Sequence, residues 1–195
     1  MYKYYLVYKP YNVLSQFTEE SIGDRTLAEF NIPEKDVYSV GRLDKDSEGL
    51  LLLTNDNKFK NAIIHSENEI WKTYYCQLEG VIDDLALSKL KSPLTIKVKN
   101  TTFTAKPSNV RIIQANANIP ERIPAIRIRV DKPTSWIEIK ICEGKNRQVR
   151  KMLAHVGYPV LRLIRVGIGN LMVTFPIEFS KKLLSKGELD LIFRK

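Results

Sequence analysis

The 195-residue chain is 44% hydrophobic and 27% charged, with a formal net charge of +9 and a pI near 9.5. These proportions fit an ordinary globular protein of one domain, or of two small lobes around a cleft, and exclude a low-complexity chain. No apolar run nears the ~20 residues that span a bilayer, MYKYYLVYKP lacks the layout of a signal peptide, and Cys76 and Cys142 are expected as buried free thiols, so a reducing, cytoplasmic setting without membrane contact is expected.

Tyr4 to Tyr8 is apolar and aromatic and predicts a strand that stops at Pro10. Val37–Val40 predicts a short strand. Gly49–Thr54 (GLLLLT) is a continuous apolar run, as in a strand buried on both faces, and Asp56 can cap a helix reaching Ile64. Trp71–Glu79 reads as a strand and Asp83–Leu90 as a short helix. Leu94–Val98 and Thr101–Ile113 predict β-structure around a turn at Lys99-Asn100, and Pro120–Pro124 a loop. Ile126–Val130 and Trp136–Ile141 alternate apolar with charged residues, the pattern of strands with one wet face. A helix is predicted from Asn146 to about Val156, because Val149, Met152, Leu153 and Val156 share one face. Val160–Ile164 returns as strand, and the tail 177–195 mixes a short helix with a last strand. Strands outnumber helices without strict βαβ alternation. The expected class is therefore α+β, with a mainly antiparallel central sheet and flanking helices.

The charge is unevenly spread. Residues 121–165 hold eleven Lys or Arg against four acids, the footprint of a nucleic-acid or acidic partner, or else a solvated basic face. Two stretches concentrate the chemistry. In GRLDKDSEGLLLLTND (41–56), Asp44 stands between Arg42 and Lys45, just ahead of four leucines. That is either a solvated turn or an acid that must stay ionised and still against something anionic. In EGKNRQVRKML (143–153), Arg147, Arg150 and Lys151 fall at i, i+3 and i+4, a cationic stripe opposite an apolar face. Gly144 leads into that helix's N-terminus, which itself favours anions. His65 and His155 stand alone, so no metal site is expected. No G-x-x-x-x-G-K-[ST] or G-x-G-x-x-G loop occurs, so no nucleotide cofactor is expected either.

Together these stretches resemble the ribosomal pseudouridine synthase family of the small- and large-subunit rRNA type. The family's G-R-L-D aspartate falls on Asp44 and its K-x-Y motif on Lys72-Thr73-Tyr74. Its G-[KR]-x-x-Q-[VI]-R-[RK]-M motif falls on Gly144 to Met152, and VLRLIRVGIGNL (160–171) resembles its last basic strand. The resemblance runs from about Lys9 to Leu171 with the motifs in order. KPYNVLSQFT and PTSWIEIKICEGKNRQVRKMLAHVGYPVLRLIR are most similar to members that act on 23S rRNA. It implies a pseudouridine-synthase-like fold, a cofactor-independent isomerisation of uridine and 23S rRNA as partner. The expected organisation is a catalytic domain over 1–175, two sublobes around a shared cleft, followed by a helix/strand extension over 176–195. No S4-type RNA-binding domain is expected. A monomer is expected, since no exposed apolar helix stripe or heptad stands out.

The resemblance makes Asp44, Tyr74 and Arg150 catalytic. Asp44 would attack C1′ or remove the C2′ proton, and a guanidinium, Arg150 by resemblance, would keep it ionised and fixed. Tyr74 would stack on the extruded base and accept the C5 proton. Arg42, Lys72, Lys145, Arg147, Lys151, Arg162 and Arg165 would contact RNA, with Arg42 filling the space left by the flipped nucleotide. Asp46 and Glu48 are expected to bond locally to backbone or to Arg42, and Leu50–Leu53 to anchor the Asp44 loop by packing. Two other readings stay open: a synthase acting on 16S rRNA or tRNA, and a non-catalytic RNA-binding or ribosome-assembly factor indifferent to Asp44.

Overall fold

Apolar patterning and proline set most strand boundaries. The computed structural model describes residues 1–65, 69–98, 101–114, 118–127 and 132–194. β1 (Tyr4–Lys9) ends at Pro10, which lacks the N–H a ladder needs. Val37 and Val40 are buried, but only β2 (Tyr38–Ser39) between them pairs as strand. β3 (Glu48–Thr54) is buried at every position. Asp56 caps α1 (Asn57–Ile64) by accepting from the Lys58 and Phe59 N–H groups. β4 (Lys72–Glu79) is followed by α2 (Asp84–Leu90), whose cap is Asp83.

The next expected β-segment is two strands. β6 (Thr101–Ala105) pairs β5 (Leu94–Val98) in a separate two-stranded sheet, whereas β7 (Asn109–Ile113) joins the main one. Pro107 between them cannot donate to a ladder, and the chain changes sheets there. The turn expected at Lys99-Asn100 lies outside the described residues. So does most of the strand expected over Ile126–Val130, and Ile126 and Arg127 belong to no regular element.

β8 (Thr134–Ile141), α3 (Gln148–His155) and β9 (Val160–Ile168) follow. β10 (Leu171–Met172), β11 (Lys181–Leu183) and α4 (Lys186–Phe193) complete the chain, with Ser185 and Glu188 forming a capping box on α4. The main sheet runs β11-β1-β3-β9-β4-β8-β7, with β2 beside β3 and β10 beside β9. All its described pairings are antiparallel except β3–β9. The tail segment expected as an extension thus supplies an edge strand beside β1.

Of three apolar clusters, two explain why β3 reads as an unbroken leucine run. Leu50 and Leu52 pack with Leu6, Ile63 of α1 and Ile192 of α4. Leu51 and Leu53 face the other way, onto Val7, Leu27 and Phe30, the last two on a short 3-10 turn (Leu27–Phe30). The third cluster lies beneath β4 and β8, where Cys76, Leu78, Ile137 and Ile139 meet α2 and α3.

The β3–β9 crossing is the tightest point. Gly49 pairs with Arg165 at φ +112°, and a Cβ there would lie 2.2 Å from the Arg165 carbonyl oxygen. Beside it the Arg162 guanidinium grips the Glu48 carboxylate at 2.7 and 2.8 Å, with both side chains about 5% exposed. Gly49→Ala meets both a left-handed backbone and that clash. The left-handed backbone alone costs about 1–3 kcal/mol. We expect a variant that is unfolded, or less stable by more than that figure, as read by urea-induced unfolding.

Candidate active site

The turn before β3 carries Asp44, and the Ser47 N–H closes it by donating to the Asp44 carbonyl at 2.9 Å. Asp44, Tyr74, Arg42, Lys145 and Arg147 line one cavity of about 420 Å³, within the usual size of a small-molecule site. Tyr74 reaches it from β4 and is only 8% exposed. Two of the other cavities among the described residues are larger. One, of about 470 Å³, is lined by Trp71, Lys140 and Phe193, and the other, of about 610 Å³, by Tyr8, Glu29 and Phe175. Neither combines a carboxylate, a phenol and a guanidinium.

The expected ionic partner of Asp44 was Arg150; the contact is made by Arg147. Its Nη1 lies 3.5 Å from Asp44 Oδ2, while Nη1 and Nη2 donate to the two Asp46 oxygens at 2.9 and 2.8 Å. Arg147 has φ +52°, so α3 begins at Gln148 rather than Asn146. That left-handed backbone takes Arg147 off the helical stripe and toward the Asp44 turn. Backbone outliers of this kind gather at functional sites. Arg150 supports the same turn from behind: Nη2 donates to the Asp46 carbonyl at 2.8 Å and Nη1 to the Val160 carbonyl at 3.0 Å. Burial works to raise the Asp46 carboxyl, but the Arg147 hydrogen bonds and the Arg150 and Arg147 charges outweigh it and hold the group below the ordinary carboxylate range.

The other expected RNA contacts divide by depth. Arg42 is exposed at the cavity mouth, 3.6 Å from Glu20, and Lys145 is exposed with its ammonium 5.2 Å from the centre of the Phe103 ring. Lys151 is half-buried with its ammonium 3.4 Å from Asn146 Oδ1. Lys72, Arg162 and Arg165 are instead inside the protein, because β4 and β9 are central strands. Lys72 donates to the Ile63 and Cys142 carbonyls at 3.4 and 3.3 Å, Arg162 holds Glu48, and Arg165 Nε donates to the Leu50 carbonyl at 2.7 Å. The Asp46 and Glu48 carboxylates therefore bond to distant arginines, Arg147 just before α3 and Arg162 of β9, not to Arg42.

Sequence reasoning missed Lys9, which is fully buried. Its ammonium donates to the Pro10 and Val13 carbonyls at 2.9 and 2.7 Å and lies 3.5 Å from the Lys45 carbonyl oxygen. A lysine is the residue least expected inside, and its only sequence signal was its place in KPYNVLSQFT. Among the described residues no group of three His, Cys, Asp or Glu could hold a metal ion, and no helix is long and apolar enough to cross a membrane.

An α+β sheet with a carboxylate, a tyrosine and a guanidinium in one basic cleft narrows the class. Residues 3–155 match the RNA pseudouridylate synthase family, and the chain belongs to it. Ribosomal large subunit pseudouridine synthase E of Vibrio parahaemolyticus is 45% identical over 84% of this chain and 66% of its own length. The enzyme of that name from Xanthomonas campestris is likewise 45% identical, over 84% of this chain and 86% of its own length. The chain thus spans just under two thirds of the Vibrio relative. A crystal structure of a pseudouridylate synthase shares the fold, with a TM-score of 0.78 at 22% identity over 98% of this chain and 74% of that one.

The buried lysines give a measurable pH dependence. Burial, then the Arg165 charge, lowers the Lys72 ammonium from 10.5 to about 8. Between those values the unfolded chain binds the proton and the folded chain does not, so this group makes stability rise with pH across that window. We expect Lys72→Met to lack that rise, so that wild-type stability gains on the variant from about pH 8 to 10.5, as read by urea unfolding at stepped pH.

Proposed function

We propose that this chain isomerises a uridine of large-subunit ribosomal RNA to pseudouridine, with Asp44 as the catalytic carboxylate. The observation that carries the reading is the shared cavity, in which Asp44 and Tyr74 face one space and Arg147 lies 3.5 Å from the Asp44 carboxylate. The relatives named as large-subunit rRNA synthases support the choice of RNA.

The reaction breaks the bond between uracil N1 and C1′, turns the base and joins C5 to C1′. N1 gains a proton and C5 loses one, so no redox partner or group donor is consumed. Asp44 acts at the ribose, on C1′ or on the C2′ proton. Tyr74 gives the extruded base a face to stack on, and its hydroxyl is the acceptor for the C5 proton. Arg147 replaces Arg150 as the guanidinium that faces Asp44, while Arg150 holds the turn through the Asp46 carbonyl. Arg42 and Lys145, exposed at the cavity rim, meet RNA phosphates, and Arg42 fills the helix position vacated by the target nucleotide. Lys151, half-buried on α3, adds to that basic rim.

Tritium release from large-subunit rRNA transcripts carrying [5-³H]uridine tests the reading. Wild type is expected to release tritium, and Asp44→Asn to do so at least about 10²–10⁴-fold more slowly, the range for a lost acid–base group. Full release by Asp44→Asn would sink the assignment. Arg147→Met is expected to slow release about 10²-fold with RNA still bound, since a catalytic group displaced by about 1 Å costs that much.

A further inference from the structure

Asp44 sits on a turn, yet its two neighbours in sequence are both held by a different segment of the chain. The residue before it, Leu43, donates its N–H to Ser15 Oγ at 3.0 Å, and Ser15 Oγ donates back to the Leu43 carbonyl at 2.8 Å. The residue after it, Lys45, has its carbonyl engaged by the Asn12 N–H at 2.8 Å, with the Lys9 ammonium 3.5 Å away. Residues 9–15 therefore clasp the turn on both flanks of the carboxylate.

Ser15 is the part of this clasp that depends on its side chain. It is 2% exposed, and its own carbonyl accepts from Ser39 Oγ at 3.1 Å. A hydroxyl can donate and accept at once, so one atom satisfies both backbone groups of Leu43, which is itself only 6% exposed. Without it, those groups would be left unpaired in the interior or would draw the turn toward other partners. The segment is braced in turn, since the Leu14 N–H donates to the Arg25 carbonyl at 2.8 Å and Val13 forms a bridge with Arg25.

The geometry points to Ser15 as a positioning residue for the proposed reaction: its hydroxyl fixes the Leu43 backbone and thereby the height of Asp44 in the cavity. The inference rests on Asp44 being the catalytic carboxylate. Ser15 does not line the cavity and makes no contact with the reacting atoms. Its loss should therefore act on the rate of the chemical step and leave RNA affinity alone. A displacement of about 1 Å at a catalytic group is worth on the order of 10²-fold in rate.

Single-turnover tritium release, with RNA affinity measured separately by filter binding, distinguishes this role from a merely structural one. Ser15→Ala is expected to slow release by about 10- to 100-fold at an RNA affinity close to wild type. Ser15→Thr, which keeps the hydroxyl, is expected to recover most of the rate. Thr54→Val is the control for lost stability. It removes a buried hydroxyl bonded to the Lys3 carbonyl at 2.7 Å, at the far end of β3, and is expected to lower the melting temperature without slowing release. An Ser15→Ala protein that turns over at the wild-type rate, loses affinity instead of rate, or slows no more than Thr54→Val overturns the inference, as does a Ser15→Thr protein no faster than Ser15→Ala. Asp44→Asn in the same series separates the two readings. If Asp44→Asn is active, the catalytic assignment itself falls, whereas an inert Asp44→Asn beside a fully active Ser15→Ala removes the clasp alone.

Discussion

The crossing of β3 and β9 is the constraint on which the rest of the molecule depends. It is the parallel step among the otherwise antiparallel described strand pairings of the main sheet, and it brings a glycine against the backbone of Arg165. With no Cβ at position 49, the two strands approach closely enough for Arg162 to reach Glu48 and for Arg165 to reach the Leu50 carbonyl. Everything at the front of the sheet is referred to this point. The Asp44 turn precedes Glu48 by four residues, and α3 and β9 are consecutive elements, so fixing β9 against β3 fixes the distance between Arg147 and Asp44.

Much of this fold was legible because local chemistry and tertiary role agree. The GLLLLT run had to be buried on both faces, and it is flanked by two apolar clusters. Asp56, Asp83 and Pro10 ended or began elements where their side chains dictate. The site was legible in part. Asp44 and Tyr74 do share a cavity, but the guanidinium facing the carboxylate, assigned to Arg150 by resemblance, is that of Arg147. A motif match does not give backbone dihedrals, and Arg147 at φ +52° has left the helix. The depth of Lys72, Arg162 and Arg165 escaped for a related reason. Alternation on a strand tells which face a residue takes, but not whether that face is covered, and here loops and neighbouring strands cover it.

The geometry around the two aspartates also divides their labour. Asp46 takes two short hydrogen bonds from Arg147, whereas Asp44 receives a single longer contact from the same group. A forked grip on Asp44 would have tied up the lone pairs that an attacking or proton-accepting carboxylate needs. Placing the fork on the neighbouring acid leaves Asp44 beside a fixed positive charge with fewer of its lone pairs engaged. If Asp44 is the catalytic carboxylate, as proposed, the same arginine stabilises the turn and stays close to the reaction without blocking it.

The loop that carries Glu20 and Asp24 bears on how the protein would meet a polyanion. Arg42 and Lys45, the two bases that bracket Asp44, already face Glu20 and Asp24. Each phosphate that reaches them must exchange with a protein carboxylate as well as with bound counterions. Such an exchange releases fewer ions than capture by a bare cation. The dependence of RNA affinity on salt should therefore be shallower than the count of basic residues suggests, since its slope measures ions released per contact. Five further bases, Lys9, Lys72, Arg150, Arg162 and Arg165, are committed to internal bonds. The charge of +9 is then partly an interior property.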